Sequence, residues 1–194
     1  MKLKKLTILL LILVLGVALP LTGCTVTIEG GGGGGGDKKD PTDNTKATVD
    51  ETVNAKATVD AFIKALKEMN AEALLKLVAK SAGPDEGESI EFGEEGSDET
   101  KALKDAFKQL KFTYKSGEVA KDANETTLSY EAEAVNAMLF AMAFLAGQDV
   151  SNLPTTKSDV EIKLVKEDGN WKILNVEDVV AAAYGMADMP GAFD

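Results

Sequence analysis

The sequence predicts an α+β domain, with helices first and antiparallel strands after them. Three observations carry that prediction. Apolar residues recur at helical spacing between Val49 and Leu110. From Phe112 the period drops to two, apolar against polar. Asp168-Gly169 then stands between two alternating runs, a dipeptide suited to a tight hairpin. The chain's 194 residues hold one such domain plus extensions. In that arrangement the helices cover one face of the sheet.

The elements follow in order. Val49, Val53, Val59, Phe62, Ile63 and Leu66 predict a first helix over 49–69. Lys46-Ala47-Thr48-Val49-Asp50 recurs as Lys56-Ala57-Thr58-Val59-Asp60, a local duplication that lengthens this helix. Asn70 caps a second helix over 71–80, with Glu72 in its first turn and Leu74, Leu75, Leu77 and Val78 apolar. A glycine-bearing acidic loop follows. Ser97 caps a third helix, where Leu103, Ala106, Phe107 and Leu110 form a stripe. Phe112 and Tyr114 begin the first strand. Leu128, Tyr130, Ala132 and Ala134 alternate with Ser129, Glu131 and Glu133 in the second, reached through Lys121-Asp122-Ala123-Asn124. Val160, Ile162 and Leu164 pair with Trp171-Lys172-Ile173-Leu174 across the Asp168-Gly169 turn. Between the two hairpins, Met138, Leu139, Phe140, Met142, Phe144 and Leu145 make a helix over 136–146 apolar almost all round, which predicts core packing. A last helix is predicted over 176–187.

The N-terminus reads as an export signal. Lys2, Lys4 and Lys5 precede an apolar run over 6–19. Those 14 residues make a helix of about 21 Å, short of a hydrocarbon core of about 30 Å. The run ends at Leu21-Thr22-Gly23-Cys24, which resembles the lipobox of bacterial lipoproteins. The resemblance implies cleavage after residue 23 and a diacylglyceryl group on Cys24, often with further acylation (palmitate-type chains) at the new N-terminus. Two or more acyl chains suffice for a stable membrane anchor. The mature chain then has no second cysteine, and its charge moves from −11 to −14 as the three signal lysines leave. Anionic headgroups repel such a domain while the lipid holds it near.

Seven glycines, Gly30 to Gly36, and the polar stretch after them form a tether. No Lys-Ser/Thr and no βαβ context accompany them, so they are not a phosphate loop. Residues 25–46 reach roughly 25 Å as a coil. The organisation is thus a signal at 1–23, a lipidated Cys24 with its tether over 24–46, and one domain over 47–194.

The run Phe62-Ile63-Lys64-Ala65-Leu66-Lys67-Glu68-Met69-Asn70-Ala71-Glu72-Ala73-Leu74-Leu75 resembles the opening helices of the nuclear-transport-factor-like, cystatin-like superfamily. The ending Val160-Glu161-Ile162-Lys163-Leu164 through Trp171-Lys172-Ile173 is similar to its final hairpin. The chain most resembles uncharacterised small lipoproteins of Gram-positive bacteria that carry one such domain on a tether. The resemblance implies N-terminal helices packed on a curved antiparallel sheet, a cone. It leaves function open, since the superfamily holds isomerases, dehydratases and binding modules.

Composition narrows the chemistry. The chain has no His and no Arg, which excludes an imidazole base, His-ligated metal and a bidentate anion clamp. Its acidity argues against nucleic acid. No metal or cofactor is predicted. Enzymatic members of the superfamily set an acid and a Tyr or His in the cone. Strand parity here turns Tyr114 and Tyr130 to the apolar face, Glu131, Glu133 and Glu161 away, and Glu118 inward unless a bulge at Gly117 reverses it. Glu118 with Tyr114 or Tyr130 is therefore the catalytic alternative, a small acid/base isomerase or lyase. The first reading is a non-catalytic, membrane-anchored extracytoplasmic lipoprotein. Its domain binds a small apolar ligand or an envelope protein through Phe112, Tyr114, Tyr130, Met138, Met142 and Trp171. A third is an acidic spacer that recruits basic envelope components through Asp85, Glu86, Glu88, Glu91, Glu94, Glu95, Asp98 and Glu99, a run whose spacing matches no calcium loop.

Overall fold

The computed structural model describes residues 41–84 and 90–187, with 41–50 as backbone alone. The signal, Cys24, the glycine run and residues 85–89 of the acidic loop lie outside them. Helix α1 (Pro41–Glu68) starts before the predicted 49, inside the stretch read as tether. Its face carrying Ala55, Val59, Phe62, Ile63 and Leu66 is buried. Met69 then takes a left-handed φ of 54° and the helix stops.

Asn70 accepts the amide of Ala73 at 2.9 Å and starts α2 (Ala71–Leu75), five residues long. The predicted helix over 71–80 is corrected here. Leu77 accepts the amide of Ile173 at 2.8 Å, and Ala79 donates to the carbonyl of Ile173 at 2.9 Å. The backbone at Val78 thus leaves the helix to pair with a strand edge. Ser97 caps α3 (Asp98–Lys108) through the amide of Thr100 at 3.1 Å, and Leu103, Ala106, Phe107 and Leu110 are all buried.

Four strands follow: β1 (Lys111–Ser116), β2 (Glu125–Val135), β3 (Thr155–Glu167) and β4 (Asn170–Ile173). They form one antiparallel sheet in sequence order. Asp168 and Gly169 both take positive φ, 51° and 78°, the pair of angles a two-residue hairpin of matching twist requires. On one face Leu128, Tyr130, Ala132, Val160, Ile162, Leu164 and Ile173 join the buried side of α1 and α3 in the main core. On the other, Lys115 and Lys157 reach Glu131, Lys115 also reaches Asp159, and Lys111 reaches Glu133. Charges of opposite sign therefore alternate across three strands of the solvent face.

Between β2 and β3 lies α4 (Ala137–Leu145), begun by Asn136, whose side chain accepts the amide of Leu139. After β4, α5 (Val176–Ala183) is shorter than the predicted 176–187, ended by Tyr184 and by Gly185 at φ 66°. Gly185 lies so close to the Val135 carbonyl that a Cβ would collide with it. Asn175, just before α5, accepts the amide of Lys163 and donates to the Glu161 carbonyl, both at 2.7 Å, so its amide extends the sheet past the end of β4.

Candidate functional site

The six residues read as ligand-binding fall into three places. Phe112, Tyr114 and Tyr130 come together on the core face of β1 and β2. Tyr114 and Tyr130 are register partners whose rings meet edge to face at 5.6 Å, and Phe112 lies 6.4 Å from Tyr130. The Tyr114 hydroxyl donates to the Gly117 carbonyl. From α1, the Lys56 ammonium sits 3.9 Å above the Tyr114 ring, a cation–π contact. The Tyr130 hydroxyl is buried with no hydrogen-bond partner among the described residues, in a residue only 1% exposed. Burial, with the charge of Asp60 one turn beyond Lys56 and the neighbouring Tyr114, pushes its phenol above the usual range, so it stays protonated.

Glu118 does not join this cluster. The register between β1 and β2 shifts between Tyr114 and Ser116, and Gly117 takes φ 120° with the Thr127 carbonyl 2.8 Å from where a Cβ would stand. That irregularity passes the inward position to Val119, which is buried, and turns Glu118 to solvent. Val119 is held there by its amide, which donates to Thr52 Oγ1 on α1 at 2.9 Å.

Trp171 lies on β4 against the N-terminal half of α1. Its indole N–H donates to Glu51 Oε2 at 3.0 Å, and Lys166 Nζ donates to Glu51 Oε1 at 2.8 Å. These two bonds, led by that from Lys166, hold the Glu51 carboxyl below the usual carboxylate range. Both partners are consumed by each other, so this corner ties the helix to the sheet.

Met138 and Met142 are on α4, and here the core prediction is corrected. Ala143 is buried, and Phe140 and Phe144 pack with Ala102 of α3, Val150 and Leu153. The opposite face is open: Met138 is 56% exposed, Leu139 40%, Met142 63% and Leu145 72%. A helix apolar all round needs partners on every side; among the described residues α4 has them on one side only. Leu139 and Leu145 were absent from the predicted set, although a helical wheel places them beside Met138 and Met142. Lys56 and Asp60 were also absent, and their one-turn spacing next to buried Ala55 and Val59 is their signal.

Glu131 and Glu133 point to solvent as their parity predicts. Their lysine and threonine partners hold both carboxyls below the usual range, Lys157 acting first on Glu131 and Thr155 first on Glu133. No three acidic side chains converge in a metal-holding group among the described residues. No described helix is long and apolar enough to cross a membrane. No family model matches the chain, and no curated protein matches it either.

Proposed function

We propose that the chain is a lipoprotein anchored through Cys24 at the extracytoplasmic face of a cell membrane. Its nuclear-transport-factor-like domain works by binding rather than by catalysis. The lipobox resemblance supports the anchor, and the helices-then-meander order supports the fold. The observation that carries the binding reading is the open face of α4. Four large apolar side chains stand in water on a domain whose candidate base, Glu118, faces solvent away from Tyr114 and Tyr130. A convex apolar face suits a protein surface better than an enclosed small molecule, so an envelope protein is the favoured class of partner.

Native mass spectrometry of the full chain, ejected directly from vesicles of its own membrane, tests both parts. The expected result is diacylglyceryl mass on Cys24 and a protein partner that Met142→Lys removes. An unmodified Cys24 overturns the anchor. A bound small molecule that survives Met142→Lys overturns α4 as the binding face.

A further inference from the structure

The open face of α4 has a geometry that selects its occupant. Met138, Met142 and Leu145 recur at steps of four and three, so at 3.6 residues per turn they fall within about 60° of one another. That seam is symmetric about its middle. A twofold axis beside Met142 sets Met142 against its copy and Met138 against the copy's Leu145, which is the self-complementary form of an isologous contact.

Charge points the same way. From Val135 to Gln148 the chain carries no charged side chain, although 27% of its residues are charged and the total is −11. Two copies of so acidic a domain repel at surfaces rich in carboxylates. α4 itself brings no carboxylate to such a contact.

Position disfavours the lipid surface as the occupant. α4 joins the ends of β2 and β3 where Val135 pairs with Thr155. Helix α1 is fixed at the other end, through Thr52 to Val119 and through Glu51 to Lys166 and Trp171. The ladder between Val135 and Glu125 is about 35 Å long. A tether entering through α1 therefore holds the opposite end of the domain toward the membrane.

We propose that the α4 face is the contact between two copies of this chain. The inference rests on the anchored binding reading above and names its partner. α4 is about 13 Å long and about 10 Å across, too small alone for the roughly 800 Å² per side of a standard interface. The pair is therefore weak between free domains. Lipid anchoring confines the copies to one plane and raises their effective concentration, which compensates without any further contact.

The test uses the full chain in its membrane. An acylated Cys24 has no free thiol, so Met142→Cys supplies the only thiol. Lys163→Cys, on the solvent face of β3, serves as the control, and the unsubstituted chain reports any linkage through Cys24. Under a mild oxidant, Met142→Cys is expected to give about tenfold more doubled-mass chain than Lys163→Cys. Adding Leu145→Lys to Met142→Cys is expected to reverse most of that gain. Equal linkage for the two cysteine variants, or linkage of Met142→Cys to a different protein, overturns the pairing. Intact mass in the same samples separates the two ideas. An acylated chain that does not link overturns the pairing and leaves the anchor. An unacylated chain that still links overturns the anchor and leaves the pairing.

Discussion

Trp171 donates its indole N–H to Glu51 Oε2 at 3.0 Å, joining residues 120 positions apart. Lys166 closes the corner by bonding the other carboxylate oxygen at 2.8 Å and standing 5.3 Å from the centre of the indole ring. The contact is part-buried, which makes it stronger than the pairs on the outer face of the sheet, where side chains stand in water. Trp171→Phe keeps an aromatic ring in the core, removes the donor and leaves a small void where the indole was larger. It is expected to lower unfolding free energy by about 1–2 kcal/mol in urea titration, with an unchanged m-value.

The same corner gives a pH dependence. Because the folded pKa of Glu51 lies below its ordinary 4.5, its stabilisation is complete above that value and fades as pH falls through the lowered one. Glu51→Gln removes this term. The gap in melting temperature between the natural chain and Glu51→Gln is therefore expected to be widest near neutrality and to narrow as pH falls below 4.5. A gap that stays constant into acid would show that the carboxylate charge is not what matters there. Glu131 and Glu133 retain their own acid sensitivity in both proteins.

Two glycines separate backbone strain from collision. Gly147 and Gly185 both have positive φ, 65° and 66°. A Cβ at Gly147 meets nothing within 4 Å, whereas one at Gly185 runs into the Val135 carbonyl. Gly147→Ala is expected to cost about 1 kcal/mol from conformation alone. Gly185→Ala is expected to cost at least about 3 kcal/mol, since the C-terminal turn must leave β2. Equal costs by thermal denaturation would contradict the close approach.

Tyr130 is buried with a hydroxyl that is unpaired among the described residues, and leaving such a group dry costs about 1–3 kcal/mol. Tyr130→Phe keeps the edge-to-face contact with Tyr114 and removes the orphan. The melting temperature is expected to hold or rise. A clear fall would mean that the hydroxyl has a partner in solution.

The sheet was legible because one of its faces meets water, so alternation at Leu128–Ala134 and Val160–Leu164 reads directly as inside and outside. Ser97 and the Asp168-Gly169 turn were legible because capping and tight-turn chemistry is local. The end of α2 was not, since Leu77, Val78 and Ala79 suit a helix and a strand edge alike, and Ile173 decides between them from far along the chain. Parity alone left the side of Glu118 to a possible bulge at Gly117, and the register shift just before that glycine turns it to solvent. The open face of α4 was hidden by its own composition. An all-apolar nonamer reads as buried, and only the packing on α3 reveals which half is covered. Within the candidate site, the Tyr114–Tyr130 pair followed from parity, whereas Lys56, Asp60 and Glu51 are brought in by tertiary packing of α1.

The way α1 meets the sheet also sets how the domain answers a mechanical load. Ahead of Glu51 the helix continues for 10 residues, about 15 Å, to Pro41. Tension arriving from the N-terminal side is carried along that rod. The first described ties to bear it are the bonds from Glu51 to Trp171 and Lys166 and from Thr52 to Val119. They work as a clamp at one end of the sheet, and the strand ladders behind them are not pulled until it has slipped.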